Sequence, residues 1–340
     1  MTIYAFWNNK GGTGKTSLAF QAISMYALSH PNEKILAMDL CPQANLSELF
    51  LGGLLGNGNN SLVNLQSLNP RKTIGGYFQF RFPSPYSSNG FNTDDFICNP
   101  REFNSNIPEN IDLVAGDAVL ELQSNAIATL AIAQIPGVNT WISIIDWARN
   151  FIAALGGKYN IIFIDANPSF SIYTQIALAC TDRLIVPVMA DDSSRRAVHN
   201  VFALVHGINI PSQIYTQYSF SSRLHEASRT LPQIHIIAKN RLTQYMGPAS
   251  AYHSVLTTID SFIMGLMASH PQIFTFSSIQ NGLSEIRDFQ TTGIVAFAKG
   301  LPFPLLQAGS HRIANRRVQV KEEYLQNCLT AMNNLVIKIQ

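Results

Sequence analysis

Between Asn8 and Ser17 the chain reads Asn-Asn-Lys-Gly-Gly-Thr-Gly-Lys-Thr-Ser. Glycines let a backbone turn tightly and aim successive N–H groups inward. Those donors, joined to the positive end of a following helix, hold anionic phosphates. Gly11, Gly12, Thr13, Gly14 and Ser17 form such a cradle, Lys15 would reach the β- and γ-phosphates, and the Thr16 hydroxyl would ligate Mg²⁺. This chemistry calls for ATP and Mg²⁺. The ordinary spacing G-x-x-x-x-G-K-[ST] would put a glycine at Asn9; here a second lysine, Lys10, precedes the two glycines instead.

The flanking residues supply the elements that such a loop needs. Ile3 to Trp7 is a short apolar run, and Lys15 to Ser29 carries Leu18, Ala22, Met25 and Tyr26 at helical spacing. Lys34 to Leu40 reads as a second buried strand containing a carboxylate near its end. Strand, helix, strand in this order implies a parallel pair with a right-handed crossover. Ile111–Val114, Tyr159–Ile164, Arg183–Val188 and Gln233–Ala238 read as further strands. The helical segments Ala118–Ile135, Trp141–Leu155, Ser171–Cys180 and Ser194–His206 fall between them. The alternation predicts an α/β fold, a doubly wound and mostly parallel sheet, with residues 1–340 as one domain. Gly52 to Asn110 breaks the rhythm with Asn, Ser, Gly and Pro and reads as a loop-rich insertion. Tyr77, Phe78, Phe80 and Phe82 could pack part of it down.

Composition excludes several classes. No apolar run approaches the ~18 residues of a spanning helix, and MTIYAFWNNK lacks a secretory leader pattern. Cys41, Cys98, Cys180 and Cys328 are far apart, without metal-ligand spacing, and read as free thiols of a cytoplasmic protein. That spacing also argues against an iron–sulfur site. Net charge is +2 but uneven: −5 from Met1 to Ser194 and +7 from Arg195 onward. A basic C-terminal half hints at a polyanion partner. Asp191 and Asp192 suit a helix N-cap and its neighbour.

Lys10-Gly11-Gly12-Thr13-Gly14-Lys15-Thr16 after a first strand resembles the ParA/MinD family of deviant Walker A ATPases. Asp39-Leu40-Cys41-Pro42-Gln43-Ala44-Asn45 is similar to that family's second motif, usually D-x-D-P-Q-x-N. Tyr159–Ser169, YNIIFIDANPS, resembles its Walker B strand, usually followed as D-x-P-P-S. Asn240 ends IHIIAKN, where the family has an adenine-reading asparagine, and Glu285–Pro302 resembles the late helix and G-x-P turn. The resemblance implies a homodimer that sandwiches ATP, with Lys10 crossing to the partner's phosphates. Lys10, Lys15 and Asp39 would be its catalytic residues, and Thr16, Asp39 and Asp165 its magnesium shell. Asp39 could hold a metal-bound water or bond Thr16.

One departure matters. The family's second carboxylate of this motif orients or activates the attacking water, and Cys41 stands in its place. A thiol with a reference pKa of about 8.5 is a poor substitute, so slow hydrolysis raised by a partner protein is expected. Ser310–Lys321, SHRIANRRVQVK, is expected to open a C-terminal helix over 310–340. It would present Arg312, Arg316, Arg317 and Lys321 to nonspecific DNA, as ParA-like dimers do through scattered basic residues. Past it, Leu325, Leu329, Met332, Leu335 and Val336 read as a core-packing face rather than the basic membrane helix of the MinD branch. The competing expectations are an ATP-gated regulatory scaffold with little turnover and a MinD-like membrane-associated ATPase.

Overall fold

Seven parallel strands carry the chain, in the computed structural model that describes residues 1–87, 90–242 and 251–339. They are β1 (Thr2–Phe6), β2 (Ile35–Leu40), β3 (Ile111–Val114), β4 (Ile161–Ala166), β5 (Arg183–Val188), β6 (Gln233–Leu242) and β7 (Leu283–Arg287). Their order is β3-β2-β4-β1-β5-β6-β7. The doubly wound sheet expected from the alternation is therefore the one observed. Helices α1 (Lys15–Ser29), α2 (Asn45–Phe50), α3 (Gly58–Ser67), α4 (Ile74–Arg81), α5 (Val119–Ala131), α6 (Thr140–Ile145), α7 (Trp147–Ala154) and α8 (Ile172–Ala179) connect the first half. In the second half come α9 (Asp192–His206), α10 (Gln213–Thr216), α11 (Phe220–Glu226), α12 (Ala251–Ser269), α13 (Ile279–Gly282), α14 (Gln290–Ala298) and α15 (Glu322–Val336).

Both faces of the sheet are covered, as continuous apolar strands require. β1 shows the division: Ile3, Ala5 and Trp7 enter one core while Tyr4 and Phe6 enter the other. All six residues of β2 and of β4 are buried. β1 lies between β4 and β5, so the chain changes direction across the sheet beside it. Ligand crevices in open α/β sheets form beyond the carboxyl ends of strands at such a switch point.

Three expectations are corrected, and a fourth, that aromatics pack part of 52–110 down, holds for Tyr77 and Phe78. The segment 52–110 is substantially ordered: it holds α3 and α4, and Tyr77 and Phe78 are wholly buried. Phe82 is half-buried, whereas Phe80 is exposed. The single helix expected over Trp141–Leu155 divides at Asp146, whose carboxylate accepts from Arg149 Nε at 3.2 Å and Arg229 Nη2 at 2.5 Å. Leu283–Arg287, whose latter residues were assigned to a late helix, forms edge strand β7, and α14 starts only at Gln290. Ser310–Lys321 is no helix. It forms an antiparallel ribbon of β8 (Gly309–Ile313) and β9 (Arg316–Val320) around a two-residue turn at Ala314 and Asn315, and helix begins at Glu322. Period-two alternation in Arg-Arg-Val-Gln-Val outweighs the basic residues' i, i+4, i+5 spacing. The last residue of the expected helix, Gln340, lies outside the described residues. Among the described residues, no helix is long and apolar enough to cross a membrane.

α9 starts beside the phosphate loop, where its capping residue Asp191 meets Lys10, and ends at His206. Both ring nitrogens of His206 are buried without a partner among the described residues. Burial, with His225 and His270 nearby, pushes its pKa down to about 4. His206 lines a surface cavity together with Asp182, His225, Arg229 and His270. An unfolded histidine titrates near 6.5. This contribution to stability is thus complete above pH 6.5 and is lost as pH falls through about 4. Its ceiling is about 3 kcal/mol. Urea unfolding at pH 7.5 and pH 5 should show a smaller pH-dependent loss in His206→Leu than in the parent. Equal losses in both would refute this source of acid sensitivity.

Candidate nucleotide site

β1 ends at Phe6, and the loop from Asn8 to Gly14 turns over its carboxyl end into α1. Asn8 is fully buried and ties the loop to β5, donating from Nδ2 to the Pro187 carbonyl at 2.7 Å. Its Oδ1 accepts from the Lys10 N–H at 3.1 Å. Gly14 precedes α1 with φ +79°, a left-handed geometry that favours glycine. A Cβ there would also lie 2.4 Å from Asn240 Nδ2, which donates to the Thr13 carbonyl at 2.8 Å. Asn240, at the far end of the sequence motif reading, is thereby brought against the phosphate loop. Gly11 and Gly12 face open space.

A cleft of about 290 Å³ opens over this turn, with Gly12, Lys15, Thr16, Cys41, Gln43 and Arg241 on its walls. Arg241, counted in the sequence only as one basic residue among many, reaches the cleft from a backbone with φ +57°. Its position directly after Asn240 was the one signal available. Lys15 is nearly buried and donates to the Lys10 carbonyl at 3.0 Å. Burial lowers its pKa, opposed by the charge of Asp165.

Thr16 Oγ1 donates to Asp165 Oδ2 at 2.7 Å, so the partner of Thr16 is Asp165 and not Asp39. Asp39 sits at the end of β2 with its oxygens occupied by Cys41 N at 3.1 Å and by Ser47 N and Oγ at 2.9 and 2.8 Å. It fixes the start of the turn into α2. Burial raises both carboxyls above the usual range, and the charge of Asp39 adds to the rise at Asp165. Asp165 Oδ1 is buried with no partner among the described residues. A hydroxyl and a carboxylate with a spare oxygen are hard donors that suit Mg²⁺, which keeps several waters and takes few protein ligands.

A family model described as an AAA domain matches residues 1–214. The chain belongs to that family. Two uncharacterized proteins of Mycobacterium tuberculosis are each 26% identical to this AAA-domain chain over 197 residues, 58% of it and 49% of theirs. The chain therefore spans about half the length of these curated relatives. Among solved structures it resembles the McdA–ATP complex from Cyanothece, with TM-score 0.58 and 14% identity over 89% of each chain. It also resembles a plasmid partition protein from Borrelia burgdorferi, with TM-score 0.54 and 17% identity over 99% of this chain and 98% of that one. The fold is that of ParA-type partition proteins.

Two further features of the AAA-domain chain bear on its chemistry. Lys10 does not float in solvent: its Nζ lies 2.6 and 2.5 Å from the two oxygens of Asp191 and 3.2 Å from Ser194 Oγ. Asp191 also caps α9, accepting from Ser194 N at 2.8 Å. Burial alone would raise Asp191, but the bonds from Lys10, Ser193 and Ser194 outweigh it and bring the pKa down to about 2. Cys41 stands in the cleft wall, 7% exposed, with Sγ 3.6 Å from Asn167 Oδ1. Burial, then the charges of Asp39 and Asp165, push its thiol up to about 12. It remains a neutral thiol at pH 7 and cannot act as a carboxylate would.

The basic residues near the C-terminus divide differently from the expected helix face. Arg312 and Arg317 are directly opposite on β8 and β9, and both are exposed. Arg316 lies opposite Ile313 on the other face. Among the described residues, none of these three arginines makes an ion pair. Lys321 follows the ribbon and sits 5.4 Å over the Tyr324 ring.

Proposed function

We propose that this chain is a ParA-like partition or positioning ATPase that binds Mg-ATP in the cleft over Gly11 to Ser17. The observation that carries the reading is the phosphate turn with Lys15 inside it and the Thr16–Asp165 pair beside it, 2.7 Å apart. Thr16 and Asp165 would hold Mg²⁺, directly or through water, and the ion would neutralise charge on the transferring phosphoryl group. Asp39 then acts as the carboxylate that shapes the cleft wall behind Asp165, rather than as a direct ligand. Asn240, held against the phosphate loop by the Thr13 carbonyl, would read the nucleotide's base. Two subunits close on two nucleotides, with Lys10 leaving Asp191 to complete the partner's cradle.

The closed dimer binds DNA without sequence preference through the β8–β9 ribbon. Like charges directly opposite on a ribbon destabilise it by up to about 1 kcal/mol, and a polyanion removes that repulsion. A two-stranded ribbon also fits the DNA major groove. Each phosphate contact contributes about 0.9 to the slope of log affinity against log salt. Arg312→Ala/Arg316→Ala/Arg317→Ala together should flatten that slope by about 2 to 3 without altering ATP binding. A fluorescence-anisotropy titration at several salt concentrations checks it, and an unchanged slope would remove the ribbon from the interface.

Cys41 favours a second reading, an ATP-gated scaffold that closes and recruits a partner with little turnover. Sizing by light scattering with ATP, ADP and no nucleotide, beside phosphate release with and without DNA, separates the two. A chain that stays monomeric at saturating Mg-ATP would defeat both.

A further inference from the structure

The structure departs from the resembled family at two touching positions. Cys41 stands where the family has a carboxylate, and Asn167 stands at the first proline position of the D-x-P-P-S pattern. Asn167 follows β4 directly after Ala166, and its neighbours on both sides, Ala166 and Pro168, line the nucleotide cleft. Trp7 Nε1 pins its carbonyl at 2.9 Å.

Its side-chain amide has one consistent orientation. Nδ2 donates to Ser169 Oγ at 2.7 Å and to Tyr173 OH at 2.9 Å. Tyr173 in turn donates its only hydroxyl proton to Glu121 Oε2 at 3.2 Å. A carboxylate is an acceptor only, so the tyrosine oxygen must accept from the amide nitrogen. The opposite end agrees: the neutral Cys41 thiol donates toward Oδ1 at 3.6 Å. Both amide protons are spent on Ser169 and Tyr173, neither of which lines the cleft. The carbonyl oxygen, with a second lone pair to use, is left beside the cleft wall that Cys41 forms with Lys15 and Thr16.

We propose that Asn167 is the water-positioning residue of this ATPase, its Oδ1 accepting a hydrogen bond from the attacking water. This rests on the nucleotide-site reading above. A carboxamide orients the water and takes no proton. The water oxygen bonds to Pγ while the bond from Pγ to the β–γ bridging oxygen breaks, its electron pair staying on ADP. A proton of the water passes to a γ-phosphoryl oxygen, so ATP⁴⁻ and H₂O give ADP³⁻ and H₂PO₄⁻. Glu121 and Tyr173 act through Asn167 as positioning residues.

The test is Asn167→Ala, with Asn167→Gln as the conservative variant and Tyr173→Phe as a change that removes only the anchoring hydroxyl. Equilibrium binding of a fluorescent ATP analogue and steady-state phosphate release are read on each. Misplacing a reacting group by about 1 Å costs about 100-fold. Asn167→Ala should therefore lower kcat about 10- to 100-fold, with analogue affinity within about twofold of the parent. Asn167→Gln should recover part of that loss, and Tyr173→Phe should fall between. Should Asn167→Ala fail to fold, Tyr173→Phe carries the test by itself. An unchanged kcat, a loss of affinity that matches the loss of kcat, or a parent that binds the analogue without turnover would each overturn the proposal. Those outcomes leave the nucleotide site standing; a parent that binds no analogue would instead defeat the site.

Discussion

Lys10→Ala is expected to bind ATP nearly as well as the parent and to remain a monomer at saturating Mg-ATP. The Lys10 contribution to its own cradle is its backbone: the carbonyl accepts from Lys15 at 3.0 Å and the N–H donates to Asn8. Alanine keeps both. The side chain points away from that cradle, to Asp191 at the start of α9. In the proposed dimer, losing it removes the cation assigned to the partner's phosphates, so the nucleotide would no longer join the two chains. Removing a single preorganised group that stabilises transition-state charge costs about 100- to 1,000-fold in kcat. Turnover should drop by about that amount, while Asp191→Ala, which frees Lys10, should lower the ATP concentration at which dimer forms. Light scattering across an ATP titration reads dimer formation in both variants, and phosphate release reads turnover. A Lys10→Ala chain that dimerises like the parent would show that the lysine is only a tether to α9.

The elements that hold the phosphate turn were readable because their signals are local. α1 spans the residues that its apolar spacing marks, and β3 and β5 match the expected runs, since a strand buried on both faces is nearly all apolar. The site itself was readable only where the backbone sets it. Gly14 and Lys15 take their places from the turn. Which carboxylate Thr16 meets depends on the register of β4 against β2, where Asp39 and Asp165 are direct neighbours. Spacing along the chain cannot rank two residues that the sheet places side by side. The β8–β9 ribbon was hidden for a different reason: the basic residues over Ser310–Lys321 also fit a helical period, which masked the strand alternation on either side of the Ala314–Asn315 turn. In α12, Leu256, Ile259, Ile263 and Leu266 are at helical spacing and buried, so that helix was present in the sequence and overlooked. Lys10 and Asp191 are 181 residues apart, and no local pattern pairs them.

Cys41→Asp is expected to raise kcat about 100-fold, the lower end of what a positioned acid or base contributes, with little change in ATP affinity. The position already lies on the cleft wall, within 3.6 Å of the amide that we assign to the water. A carboxylate there would accept the second hydrogen of the same water and could take its proton, which a thiol with a pKa near 12 cannot do. The substitution has a cost. Asp39 and Asp165 are buried beside it, and a third carboxylate adds like charge to a desolvated pair. The apo variant should therefore unfold at a lower temperature, and Mg-ATP should restore much of the loss by binding only the folded state. Faster turnover with lower apo stability is the joint signature, and phosphate release beside thermal unfolding reads it. Because residue 41 and Asn167 would share one water, Cys41→Asp and Asn167→Ala should not be additive: with the amide gone, the aspartate should gain less. If Cys41→Asp leaves phosphate release unchanged while the analogue still binds, residue 41 is a wall of the cleft and no part of its chemistry.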